Sequence, residues 1–225
     1  MLRSKLRRIA ARESLGSVLG VFRARTNWAA KAVAFLPWPF AVAAVLINPG
    51  PGGVLANVAW VLIVTAACWG IYRLIASDCL AVCEGGLLLG AAGIPFVKPF
   101  RLRWEHLDPR TLAFVTPVSG ALQVLGEGTS SSRRAMKWID VGLSVAGPPI
   151  ADAKLGSGMT FNDRPDASTG GVMWLFGCGS RQQPAIAEVL ARALGPAVGT
   201  QLAAPIRLAE DPRVAAGQLP GYAPH

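Results

Sequence analysis

Charged side chains are scarce in this chain of 225 residues: 16% are Asp, Glu, Lys or Arg, against ~25% in an ordinary soluble domain. Acidic residues are the scarcest, 13 against 22 basic ones, which leaves a formal charge of +9. Histidine occurs twice, as His106 and the terminal His225. The four cysteines, Cys68, Cys79, Cys83 and Cys178, do not form the paired spacing of a zinc ribbon. Neither G-x-x-x-x-G-K-[ST] nor G-x-G-x-x-G occurs, so nothing marks a phosphate cradle. Gly177-Cys-Gly-Ser180 only imitates a nucleophile elbow. His106 follows Glu105 without an adjacent nucleophile, and Asp163-Arg-Pro-Asp166 reads as a turn. These gaps point away from an enzyme, and no metal or cofactor is expected. Glycine has no period of three and there is no heptad run, which excludes collagen-like and coiled-coil chains.

What the chain has is apolar sequence: 52% of residues are hydrophobic and the mean hydropathy is +0.41. That excludes disorder over most of its length. Two runs stand out. Trp28 to Ile47 carries only Lys31, one turn from its start, and Val54 to Ile75 carries only Arg73, near its end. A helix of about 20 residues spans the ~30 Å hydrocarbon core and satisfies its own backbone there. Asn48-Pro-Gly-Pro-Gly-Gly53 is built from helix breakers, so the runs form an antiparallel hairpin. Pro37 and Pro39 imply a kink in the first run. Lys31 and Arg73 then share one face with Trp28, Trp69 and Tyr72, as residues of an interfacial belt do. The uncharged connector and the basic flanks put both termini in the cytoplasm by the positive-inside rule. The expected location is the plasma (inner) membrane.

The region before the hairpin, residues 1–27, is a basic cytoplasmic arm. Residues 1–31 hold eight basic side chains against Glu13 alone. Leu2, Leu6 and Ile9 form one apolar stripe, and Leu15, Val18, Leu19 and Phe22 another on nearly the opposite face. A break within Ser14 to Gly16 therefore divides two short helices lying on the lipid interface. The alternative is a solvated basic tail that only fixes topology. No aromatic residue interleaves the arginines before Phe22, so nucleic acid is not expected as a partner.

After the hairpin (28–77), residues 78–195 are long enough for one small core. Leu80–Cys83 and Leu87–Leu89 flank Glu84-Gly-Gly86 as a β-hairpin. Phe100–Trp104 alternates apolar and basic residues, as a half-buried strand does, and Asp108-Pro109 reads as a turn. Leu112–Thr116, Ala121–Leu125, Trp138–Val145 and Val172–Phe176 are further strands. Ser180-Arg-Gln-Gln183 matches a capping box, and Ile186, Val189, Leu190 and Leu194 follow at helical spacing until Gly195-Pro196. Residues 196–225, rich in Pro, Ala and Gly, read as a flexible tail. The expected class is a membrane α+β protein.

Two apolar helices, then V-x-E-G-G-L from Val82 to Leu87, R-x-x-W-E-x-L from Arg101 to Leu107, and a late capped helix resemble the bacterial pleckstrin-homology-like membrane proteins. The resemblance covers residues 28–195. It implies a transmembrane hairpin followed by a small β-barrel or sheet domain capped by a C-terminal helix, with no shared catalytic residues. The chain departs from it at 126–137 and 147–170, which are rich in Gly, Ser, Pro and Asp. The function so implied is a non-enzymatic interaction domain for a protein partner or lipid headgroups. Arg133, Arg134 and Lys137 are the basic cluster suited to headgroup contact. The partners are then the bilayer and a membrane or cytoplasmic protein, with self-association left open. A second reading makes the chain a subunit of a transport or envelope-assembly complex. There the hairpin makes the contacts through Ala41, Ala44, Ala56 and Ala59. A third places an enzyme site in the 147–170 loop, at Asp152, Asp163 or Asp166.

Overall fold

A computed structural model describes residues 2–26, 28–47, 53–75, 77–92, 94, 97–116, 118, 139–148, 159–161, 171–207 and 210. The chain is a mixed helix and sheet protein with two sheets and a pair of long apolar helices near its N-terminus. Helix α1 (Leu2–Arg12) and strand β1 (Val18–Arg23) come first, then helices α2 (Trp28–Phe35), α3 (Pro37–Ile47) and α4 (Gly53–Ile75). Strands β2 (Cys79–Cys83), β3 (Gly86–Gly90), β4 (Phe100–Arg103), β5 (Asp108–Thr116), β6 (Val141–Gly147), β7 (Met159–Phe161) and β8 (Val172–Cys178) follow. Helices α5 (Gln183–Leu194) and α6 (Pro196–Gln201) and the short strand β9 (Ile206–Arg207) close the described chain.

The first sheet is an antiparallel meander in the order β1-β2-β3-β4. Leu80, Val82, Leu87, Leu89 and Leu102 on one face join Leu112, Phe114, Leu143, Val145, Trp174 and Phe176 of the second sheet in one core. The second sheet runs β7-β8-β6-β5-β9, with β9 parallel to β5 and the other pairs antiparallel. Helix α5 adds Ile186, Val189 and Leu190 to the same core. On the other face of the first sheet, Cys79, Ala81, Cys83 and Leu88 lie beneath Leu6, Ala10 and Leu15. Cover on both faces explains why β2 and β3 read as unbroken apolar runs rather than alternating ones. At β4 the alternation returns: Leu102 faces the core, while Arg101 turns outward to an ion pair with Glu13.

Several sequence expectations meet the structure directly. The β2–β3 turn spans Glu84 and Gly85, with Cys83 opposite Gly86. The prolines divide the first apolar run into α2 and α3 at Leu36. Helix α5 ends at Gly195, whose φ of 105° is open to glycine. Its cap is shifted by one residue, since Gln182 rather than Gln183 turns back to accept the Gly179 N–H at 3.0 Å. Asp108-Pro109 opens β5 instead of a turn. There the Thr111 hydroxyl accepts the Ala146 N–H at 2.7 Å, and the ladder is irregular between Asp108 and Ala113.

The arm departs furthest from expectation. Residues Val18–Arg23 are a strand, not a helix, and Leu6 and Ala10 of α1 are fully buried on the sheet rather than facing lipid. A bulge between Val18 and Gly20 changes the parity of β1. Val18 and Val21 thus face α1 while Leu19 and Phe22 face the core, and this mixture imitates a helical stripe. The tail also begins in order. Gln201 donates to the backbone oxygens of Arg110 (2.8 Å) and Leu112 (2.6 Å), and β9 pairs with Val115 and Thr116. Residues 211–225 and the expected strand Ala121–Leu125 lie outside the described residues.

Gly20 lets α5 approach β1. A Cβ there would stand 2.9 Å from Val189 Cγ1 and 3.0 Å from Phe22, and a β-branched neighbour has little freedom to retreat. Gly20→Val is expected to cost ~1–3 kcal/mol through overpacking, read as a lower unfolding midpoint of the purified chain with helix content unchanged.

Candidate membrane interface

The helices α2, α3 and α4 carry the largest exposed apolar surface of the described residues. Trp28–Ile47 and Gly53–Arg73 are long and apolar enough to cross a membrane, yet in an apolar 18-residue stretch of each only 11% and 6% of residues are buried. The core helix of a soluble protein would be mostly covered. Here Ile47 is 83% and Leu55 85% exposed, with Trp28, Phe40, Trp60 and Leu62 also open.

Small side chains form the seam within the pair. Ala30, Ala34, Ala41 and Cys68 are buried, so the helices approach closely. Ala44, Ala56 and Ala59, expected at a close-packed contact together with Ala41, point outward and are exposed. The i, i+4 spacing of Ala30 and Ala34 leaves a faint trace of this seam in the sequence, indistinct among the other alanines of the run. The Trp38 indole N–H donates to Thr65 Oγ at 3.1 Å, and that hydroxyl donates to the Val61 carbonyl at 2.7 Å. Both polar groups are therefore satisfied without water. One turn nearer the domain, the Phe35 and Tyr72 rings stand 6.1 Å apart. The two contacts fix the helices as antiparallel.

That pairing brings Trp28 and Lys31, at the start of α2, to the same end as Trp69, Tyr72 and Arg73 of α4. Lys31 and Arg73 are exposed, and the Arg73 guanidinium lies 5.1 Å from the Trp69 ring centroid. Arg133, Arg134 and Lys137, and the acids Asp152, Asp163 and Asp166, lie outside the described residues. So does most of the Asn48–Gly53 connector.

The hairpin is rooted in the sheet. Arg23 pairs with Cys79 at the last rung of β1 and β2, and beyond it the Ala24 N–H donates to the Asp78 carbonyl at 2.8 Å. Arg25 N–H donates to the Gly177 carbonyl at 3.1 Å, tying the same root to the end of β8. The two apolar runs are thus the connection between two neighbouring strands. Nothing local in the sequence announces this, because β1 lies before the hairpin and its partner after it.

Chemistry is sparse among the described residues. No three His, Cys, Asp or Glu side chains there stand together as metal ligands. His106 and Glu105 are exposed and 3.8 Å apart. Glu84 accepts the Ser17 hydroxyl at 2.6 Å and the Ser17 N–H at 2.9 Å. These bonds hold its carboxyl below the usual range, the hydroxyl first. They fasten the α1–β1 link to the β2–β3 turn. All four cysteines are free and buried. Burial pushes Cys79 and Cys83 up to about 11 and Cys178 up to about 12, with desolvation the main cause at each. At Cys79 a hydrogen bond with the Ala92 backbone opposes the rise and Asp78 adds to it. Such thiols pack as small apolar groups and are poor nucleophiles.

Compared with known proteins, the chain matches no family model, no curated protein and no solved structure.

The folded state holds these three thiols protonated beyond the ordinary thiol value of ~8.5. Their contribution to stability is complete below that pH and is lost as pH rises toward about 11. At pH 8, Cys79, Cys83 and Cys178 are expected to resist maleimide in the folded chain and to react in denaturant, as mass spectrometry would show. Between pH 9 and 11 the unfolding midpoint should fall more in the native chain than in one with Ala at all three positions.

Proposed function

We propose that the chain is an integral membrane protein of the bacterial pleckstrin-homology-like kind. Its helix pair crosses the plasma membrane with both termini in the cytoplasm. Its two-sheet domain, closed by α5, is held at the cytoplasmic face to bind a protein partner or lipid headgroups, without catalysis.

The observation that carries this reading is the pairing of β1 with β2 around an exposed apolar hairpin. Two strands in one sheet must lie on one side of a bilayer, so a hairpin inserted between them has to go out and return. Side chains as exposed as Ile47 and Leu55 favour lipid over water by roughly 25 cal/mol per Å². The excess of basic residues in the arm favours the cytoplasmic side for the domain. A four-stranded meander facing a second, mostly antiparallel sheet, with a helix against the core, agrees with the small barrel that the resemblance implies. Here the hairpin sits inside the first sheet, and the second sheet has five strands. A second reading, in which the hairpin itself docks into a larger membrane complex, draws on the outward Ala44, Ala56 and Ala59.

The chain is expected to stay with membranes through alkaline carbonate and to leave them only with detergent. In intact cells a Gly50→Cys variant should react with an impermeant maleimide, and a Glu105→Cys variant only after permeabilisation. Labelling of Glu105→Cys from outside, or recovery in the soluble fraction, overturns the topology. Purified whole in mild detergent, the chain should bring down a stoichiometric protein or an enriched lipid class. Recovery of neither overturns the interaction role. Leu at Ala44, Ala56 and Ala59 should spare that capture, and would abolish it if the hairpin is the docking surface.

A further inference from the structure

The charges of the two-sheet domain are sorted along its long axis. At the end away from the hairpin three acid–base pairs form, Arg101 with Glu13, Arg103 with Glu105, and Arg110 with Asp108, leaving Arg12 and Glu84 outside any ion pair among the described residues. At the hairpin end Arg207, set beside Thr116 by β9, pairs with Glu210, but five other cations do not pair among the described residues. Arg23 closes β1, and Arg25 lies just beyond it. Arg181 opens the turn after Gly179, whose Cα faces the Arg25 side chain. The link from β3 to β4 belongs to this end as well, since Gly90 is opposite Cys79 and Phe100 opposite Leu89. It carries Val97 and Lys98. Helix α1 is laid with its start here, because Lys5 Nζ donates to the carbonyls of Ala92 (3.0 Å) and Ile94 (2.9 Å) while Gly85 N–H donates to Leu15 at the other end. Arg3 therefore joins the group.

Arg3, Arg23, Arg25, Lys98 and Arg181 are all exposed, and none takes part in an ion pair among the described residues. Against these five stand two exposed carboxylates at this end among the described residues, Asp140 and Glu210, and Glu210 is taken up by Arg207. Asp78 is there too, fully buried. Among these cations Val97 offers an apolar side chain that is 37% exposed.

We infer that the hairpin end of the domain is a basic plate that seats on an anionic lipid leaflet, with Val97 and Lys98 at the contact. The inference rests on the membrane reading above and gives it a lipid class: phospholipids with net negative headgroups, recognised by charge rather than by a pocket. The plate surrounds the hairpin's root, so it is continuous with the surface that lipid would already cover. It extends the belt of Lys31 and Arg73 outward onto the folded domain. Each basic residue near such a surface contributes about 1 kcal/mol, so removing one should lower the seated-to-released ratio roughly five-fold. Strand β1 ends and β2 begins within a few residues of the helices, which keeps the plate beside the hairpin's root.

The test uses the full chain in lipid nanodiscs, with Val97→Cys carrying an environment-sensitive fluorophore and Glu105→Cys as the far-end control. Native thiols are buried and stay unlabelled. Nitroxide on the lipid headgroups should quench most of the fluorescence at position 97 in phosphatidylglycerol discs and much less in phosphatidylcholine discs. Position 105 should be unaffected in both. Adding Arg25→Glu and Lys98→Glu should release the label at 97, whereas Arg103→Glu should not. Absence of quenching at 97 in phosphatidylglycerol discs that contain the protein overturns the plate and leaves the hairpin reading intact. Shielding of position 97 only in the presence of a co-purifying acidic protein overturns the lipid assignment. Failure of the chain to enter discs at all overturns both readings.

Discussion

The antiparallel pairing of β1 with β2 is the constraint from which the rest follows. Phe22 opposite Leu80 and Arg23 opposite Cys79 bring together two short segments separated by the whole apolar hairpin. A flexible loop of that length would carry a closure cost that grows with the logarithm of its length. Here the intervening chain is an antiparallel helix pair whose ends already lie side by side, held by Trp38 on Thr65 and Phe35 against Tyr72. The helix pair brings the strands into register, and the strands in turn orient the helix pair.

The same pairing settles the role of the basic arm. With β1 as an edge strand, α1 has to follow it onto the outer face of the sheet. There Leu6, Ala10 and Leu15 cover Cys79, Ala81, Cys83 and Leu88. The arginines of α1 are left outside, and Lys5 reaches the carbonyls at the end of β3. An amphipathic helix placed against a sheet has spent its apolar face. What it still offers a membrane is charge, and the part of it at Arg3, where the helix starts, lies beside the hairpin's root.

Much of the architecture was legible residue by residue. The two apolar runs, the break before Pro37, the Glu84–Gly85 turn and the apolar face of α5 all depend on spacings within a few residues. The candidate belt was legible in the same way, since Trp28, Lys31, Trp69, Tyr72 and Arg73 sit at the ends of those runs. Strand β1 was not, because its bulge mixes the two faces and breaks the period of two. The seam of Ala30, Ala34 and Cys68 was hidden among many alanines, most of which point outward. Strand β9 has two residues and gains its identity only from Val115 and Thr116 across the sheet.

The sequence by itself determined which segments are helices long and apolar enough to span a membrane, which turn joins β2 to β3, and where the closing helix ends. Each of these is a local choice made by side-chain period, backbone freedom and capping. Tertiary structure alone decided that the arm belongs to the sheet, that α1 is buried on one side, and that Arg3, Arg25, Lys98 and Arg181 gather at one end. Those outcomes depend on register between segments far apart in the chain. Register is a property of strands meeting in space, and no single stretch of sequence contains it.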